Sequence, residues 1–223
     1  MAVRSKTLNM TEGNTVKLLI TFAIPMMIGN IFQQLYNVVD SVIVGRLVGA
    51  DALAAIGATS SVTFLFFALC NGIGSGGGII TSQAFGKGDE SQIKSCITNV
   101  AYIMLVFPTV MGVVAFLLAE PLLRLLQTPD NILPDALRYI RVMCVGLMFV
   151  SVYNFVSSML RAFGDSKTPL YFLIFSCILN TVLDIVFVKY LKLNVFGAGI
   201  ATLISQLVSG ALCLTYAFRY NLY

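Results

Sequence analysis

The sequence predicts an all-α integral membrane protein, a bundle of six transmembrane helices, and three observations carry that prediction. The chain is 58% hydrophobic and only 11% charged over 223 residues, whereas a soluble domain carries about 25% charged residues. Its apolar residues gather into six long runs, and a hydrocarbon core about 30 Å thick asks for roughly 20 apolar residues per helix. The stretches between the runs are short and hold the charges and the Pro/Gly punctuation of loops. Six spans joined in this way use up the length and leave no room for a soluble domain.

The elements follow in order. The opening MAVRSKTLNMTEGNTVK is polar and lacks the form of a cleaved signal peptide, so residues 1–15 read as a cytoplasmic amino-terminal segment and the first helix is expected to stay in the mature protein. The lobe proper spans 16–223, with helices at roughly 16–44, 54–82, 96–119, 136–160, 169–189 and 197–218. The first ends at GRLVGAD and the second at GKGDE; the third, YIMLVFPTVMGVVAFLLA, has almost nothing polar and is expected to face lipid. Glu120 to Asp135, Arg161 to Thr168 and Tyr190 to Val195 read as the remaining loops. Lys and Arg number eight on the side of the termini against six on the other, which favours both termini in the cytoplasm of a multi-pass plasma-membrane protein.

Composition also removes function classes. The net charge of +4 is scattered near the ends of apolar runs instead of forming the stripe a nucleic-acid binder needs, so no nucleic-acid partner is expected. Five cysteines form no CxxC pair and there is no histidine, which leaves neither disulfides nor a zinc site to expect. The run NGIGSGGG, Asn71 to Gly78, sits inside an apolar helix with no preceding strand, so it reads as close helix packing or local flexibility and not as a nucleotide loop. GKGD, Gly86 to Asp89, sits in a polar loop and lacks a second aspartate at matching depth, against an intramembrane protease.

Polar residues inside lipid are costly, so those recurring at helical spacing are the informative ones. Helix 1 carries Asn30, Gln33, Gln34, Asn37, Asp40 and Ser41; helix 4 Ser151, Asn154, Ser157 and Ser158; helix 5 Ser176, Asn180, Thr181 and Asp184; helix 6 Thr202, Ser205, Gln206 and Ser209. Spacings of three and four place each set on one face, and the four faces are expected to converge on a watery cavity. No Lys or Arg belongs to these stripes. Asp40 and Asp184 are the sharpest features, because a carboxylate near mid-membrane costs about 2.5–3.5 kcal/mol on the translocon scale. Each lies five residues before the end of an odd-numbered helix, which puts both about 7–8 Å inside the same face. Thr202, near the start of helix 6, reaches that layer, and Asn180 precedes Asp184 by one turn. The four offer hard oxygens of the kind sodium takes, or a carboxyl group that exchanges protons; either would be a coupling-ion site. Pairing with a buried cation or capping a broken helix are the structural alternatives. Pro25, fifteen residues before Asp40, interrupts the backbone bonding of helix 1 and marks either a bending point or a static kink.

The chain resembles the multidrug and toxic compound extrusion family along essentially its whole length. The resemblance rests on IPMMIGNIFQQLYNVVDSVIVGRLVGADALAAIG from Ile24, QAFGKGD from Gln83, LRAFGDSKTP from Leu160, ILNTVLDIVFV from Ile178 and FGAGIATLIS from Phe196. It implies one six-helix lobe, the amino-terminal one, of a twelve-helix transporter that exports organic cations and other amphipathic small molecules in exchange for sodium or protons. It further implies a cation site of Asp40, Asn154, Asn180, Asp184 and Thr202, a bending role for Pro25, and a cleft-lining role for Tyr139, with Gln34 and Asn37 beside it. No cofactor is expected apart from the coupling ion. The sequence ends at Tyr223, where the resemblance would place a second lobe, so the expected partners are the bilayer, small organic substrates and a second six-helix lobe, either missing from a fragment or supplied by another copy. A lipid-linked precursor flippase of a related superfamily is the alternative transporter, and an intramembrane enzyme the alternative from another class.

Overall fold

In the computed structural model, which describes residues 13–219, the chain is helical almost throughout. α1 spans Thr15–Leu47, α2 Ala50–Lys87, α3 Glu90–Leu117, α4 Ala119–Leu125, α5 Leu133–Ala162, α6 Lys167–Asp184 with a π-helical continuation over Ile185–Tyr190, and α7 Asn194–Arg219. Six of these are long and apolar enough to cross a membrane. Residues 1–12 of the amino-terminal segment lie outside the described residues.

Most helices outrun the apolar stretches that reveal them, because hydropathy measures hydrocarbon thickness whereas caps end the helix. α1 starts where Asn14 Oδ1 accepts from the N–H groups of Val16 and Lys17 at 3.1 and 3.2 Å. α2 opens after Gly49 and closes at Gly88, whose φ of 72° is left-handed. Asp89 then starts α3 by accepting from the Gln92 N–H at 2.9 Å. A 38-residue α2 is about 57 Å long and reaches well past the hydrocarbon.

Two expected loops are corrected by the structure. The stretch from Glu120 to Asp135 contains α4, a short helix whose Ala119 and Leu123 are buried against Ile132 and Ala136 while Arg124 pairs with Glu120 at 2.9 Å on the exposed side. Seven residues carry too little periodicity to stand out beside full spans. Arg161 belongs to α5 and not to the following loop; the chain turns only at Gly164, with φ 86°, after which Asp165 Oδ1 accepts from the N–H groups of Lys167 and Thr168 at 3.1 and 3.0 Å and starts α6.

α5 is the axis of the bundle: 61% of its most apolar stretch is buried, against 11% for α1. It packs on α2, α3 and α7, α6 packs on α7, and α1 leans on α6 while touching α2 only briefly. Close approach needs glycine. A Cβ on Gly77 of α2 would stand 2.6 Å from the Val100 methyls of α3, and one on Gly112 of α3 would stand 2.7 Å from the Cys144 carbonyl of α5. Gly74, Gly77 and Gly78 of α2 thus form a packing face, as small residues do in membrane helices, whereas Gly72 and Gly76 of the same run meet nothing within 4 Å. α3 turns Tyr102, Val106, Val110 and Leu117 outward, all more than half exposed, as its apolar sequence requires of a lipid-facing helix.

Candidate functional site

α1 has two polar faces where its sequence spacing suggests one. Pro25, Gly29, Asp40 and Val44 form the buried stripe, whereas Gln34, Asn37 and Ser41 line an open groove of about 690 Å³ between the distal part of α1 and the start of α2, together with Arg46 and Leu53. In the groove the Asn37 amide donates to Gln34 Oε1 at 3.2 Å. The two faces are separated by about a quarter turn, which six polar residues at mixed spacings of one, three and four do not resolve.

The buried face delivers Asp40 to α6 and α7. Asp40 lies seven residues before the end of α1 and Asp184 six before the end of the α6 continuation, about 10 and 9 Å from those ends. Their carboxyl groups come within hydrogen-bonding reach of each other. Asp184 is fully buried, Asn180 1% exposed, Thr202 6% and Asp40 8%, so bulk water does not screen the pair. The Asn180 amide bridges α6 and α7, its nitrogen donating to Asp184 Oδ2 at 2.8 Å and its oxygen accepting from the Thr202 N–H at 3.2 Å. The Thr202 hydroxyl meets the Tyr36 hydroxyl at 3.0 Å, tying α1 to α7 one turn from Asp40.

Each aspartate keeps one buried oxygen, Oδ1, with no hydrogen-bond partner. Two bare carboxylates at this range in a poor dielectric repel strongly, a repulsion that a shared proton or a bound cation would relieve. Asn180 turns its N–H toward Asp184 and spends its oxygen on the Thr202 N–H, so the oxygens left at the site are those of the carboxyl groups and of the Thr202 and Tyr36 hydroxyls, hard donors and not the ligands of a soft metal. Among the described residues no group of three or more His, Cys, Asp and Glu forms a transition-metal site.

Of the expected site residues, Asp40, Asn180, Asp184 and Thr202 are brought together. Tyr139 of α5 is buried, 5% exposed, within electrostatic reach of both carboxyl groups. Asn154 is not part of this cluster. It lies fifteen residues beyond Tyr139 on the same helix, about 22 Å further along the axis, with its carbonyl facing Gly74 of α2 and no hydrogen bond to the carboxyl groups. Gln34 and Asn37 face the groove, about a quarter turn round α1 from Asp40. Tyr36 is the residue that sequence reasoning passed over; its spacing of four from Asp40 was the available signal, masked by the abundance of tyrosine at membrane positions.

Comparison with known proteins gives three concordant findings. The MatE family model matches residues 25–186. A probable multidrug resistance protein of Bacillus subtilis, YpnP, is 36% identical over 97% of this chain and 49% of its own length, and the multidrug export protein MepA of Staphylococcus saprophyticus is 25% identical over 93% of this chain and 46% of its own. The solved outward-facing structure of a multidrug resistance MATE family transporter superposes with a TM-score of 0.87 at 28% identity, over 92% of this chain and 46% of that one. The chain therefore spans about half the length of the relatives it matches.

Proposed function

This chain belongs to the MatE family of multidrug-efflux transporters, and from that premise we propose that it is one six-helix lobe of a secondary active antiporter whose coupling-cation site is the Asp40–Asp184 pair. The observation that carries the reading is the meeting of two buried carboxyl groups, each with an unpartnered oxygen, at the contact of the loosely held α1 with α6 and α7. The occupant is a sodium ion or a proton, and the cargo is an organic cation or other amphipathic drug, in keeping with the names of the relatives.

The mechanism follows from which helix owns which charge. α6 and α7 hold Asp184, Asn180 and Thr202 as a fixed half-site, while Asp40 and Tyr36 arrive on α1. A bound cation cancels the mutual repulsion and keeps the distal half of α1 docked; an empty, doubly charged pair pushes it away. Pro25 has no N–H to give the preceding turn, so α1 bends there at low cost, and Gly29 slides against Leu170 and Leu173 of α6. Movement of α1 reshapes the groove of Gln34 and Asn37, which in the two-lobed assembly faces the substrate route. One charge crossing 100 mV contributes about 2.3 kcal/mol, enough to drive export against a concentration ratio of tens. The second lobe comes from the remainder of a longer chain or from a second copy, the protein lies in the plasma membrane, and the termini of the lobe are cytoplasmic.

The test is cation-dependent stability of the purified lobe. Sodium at fixed ionic strength, or a drop in pH, raises the apparent Tm of the wild type, and the rise disappears in Asp184→Asn and Asp40→Asn. A full response in both variants would remove the carboxyl pair from the mechanism.

A further inference from the structure

The groove between the distal part of α1 and the start of α2 holds a charge that the coupling site does not use. One wall is a face of α1, where Gln34, Val38, Ser41, Val42 and Gly45 follow at spacings of three and four, over about 17 Å of helix. Leu53 of α2 narrows the outer end, where a Cβ on Gly45 would stand 3.4 Å from Leu53 Cδ2. α1 runs past its expected end to Leu47, and that extension brings Arg46 into the lining. At the other end the Asn37 amide is spent on Gln34 Oε1, and the Ser41 hydroxyl donates to the Asn37 carbonyl at 2.8 Å.

About 690 Å³ is the size of a small-molecule site, and among the described residues Arg46 is the one charged member of its lining. Asp40 belongs to the buried face of α1. Asp51 stands in the first turn of α2, but that helix gives the groove Ala50 and Leu53 instead. The ion pairs among the described residues belong to Arg124 and Arg138. In the last turn of α1 a cation also complements the carbonyl end of the helix, a role its charge alone fills. Charge therefore sorts what the groove takes. An organic cation meets a like charge with no lining carboxylate to offset it. A carboxylate or phosphate meets a planar fork that binds it through two parallel N–H···O bonds, while the apolar body of the molecule lies on Val38, Val42 and Leu53. We propose that Arg46 is a specificity-determining residue, selecting amphipathic cargo that carries an acidic group. This rests on the transport function proposed above, with the groove as part of the substrate route, and narrows the cargo named there.

Energised inverted membrane vesicles carrying the two-lobed transporter that contains this lobe supply the test. Uptake of fluorescein, an anionic xanthene dye, and of rhodamine 6G, a cationic one of similar shape, is measured against dye concentration. The wild type has the higher kcat/KM for fluorescein. Arg46→Gln raises the KM for fluorescein roughly fivefold with kcat kept, and leaves the KM for rhodamine 6G equal or lower. Arg46→Lys recovers part of that loss, and Arg46→Glu reverses the preference between the dyes. Arg138→Gln, at an exposed arginine paired with Asp135 and outside the lining of the groove, keeps the wild-type preference. Asp184→Asn slows uptake of both dyes and leaves their ratio as it is, so a failed coupling site shows as an unchanged rate in that variant and a failed assignment of Arg46 as an unmoved ratio in the others. A wild type that prefers rhodamine 6G, or a fluorescein KM unchanged in both Arg46→Gln and Arg46→Glu, would overturn the proposal.

Discussion

The two ends of this lobe face the same physical difficulty, a charged group held in a membrane helix, and meet it in opposite ways. At one end Asp40 and Asp184 come from different helices and are buried together, with Asp184 Oδ2 accepting from the Asn180 amide, a Tyr36–Thr202 hydroxyl contact beside them, and one oxygen of each carboxyl group unpartnered. At the other, Arg161 leans on a single serine and looks into a 470 Å³ space. The carboxyl pair is closed off from solvent, whereas the guanidinium lines an open cavity. The mobile partner differs too, since the closed site depends on where α1 sits whereas Arg161 stands on α5, the most buried helix of the bundle.

The largest expected effect would break the first half of this contrast. In the two-lobed transporter containing this lobe, Asp184→Asn is expected to lower gradient-driven drug efflux at least tenfold while leaving thermal stability equal or higher, because it removes one of two repelling buried charges; efflux from inverted vesicles and a melting curve on the same preparation check both parts. Gly112→Val comes next. It forces a side chain against the Cys144 carbonyl and is expected to cost about 1–3 kcal/mol of stability with no change in which ion drives transport, separating packing from coupling. Asn180→Leu leaves Asp184 Oδ2 without its donor and is expected to cost about 1–3 kcal/mol together with a weakened sodium or pH response, measured in the same thermal assay. Tyr36→Phe removes only the hydroxyl contact to Thr202, worth about 0.5–1.5 kcal/mol, and sharpens the comparison by loosening α1 without altering charge. The smallest effect belongs to Arg124→Ala on α4, whose exposed pair with Glu120 contributes less than about 1 kcal/mol.

Much of this contrast is readable from residues alone, and the limits have physical causes. The six spans announce themselves because hydrocarbon demands long apolar runs, and the shared depth of Asp40 and Asp184 follows from counting residues on helices that run the same way. What counting does not supply is rotation. Gln34, Asn37 and Ser41 are as polar as Asp40, and only the packing of Gly29 against Leu170 and Leu173 decides which face of α1 turns inward. Arg161 reads as a loop residue because Gly164 and Asp165 follow so closely, yet the helix continues to Ala162 and carries the guanidinium into the protein. Asn154 enters the expected site through the family resemblance, and on a helix of 30 residues it stands about 22 Å further along the axis than Tyr139.

The π-helical stretch Ile185–Tyr190, in which the Leu191 N–H reaches back to the Val186 carbonyl at 3.0 Å, bears on how such a lobe tolerates change. A π turn amounts to an α-helix with one residue added, so it acts as a slip joint between the half-site and the loop beyond it. Deleting a single residue there would return the segment to α geometry with the residues beyond it keeping their orientation relative to Asp184, whereas a deletion within the α-helical part of α6 would turn everything after it by about 100°, carrying Val188 out of its buried contact. Kept as it stands, the joint lets the outer connection be built to its own angular frame while the carboxyl group remains pointed at α1.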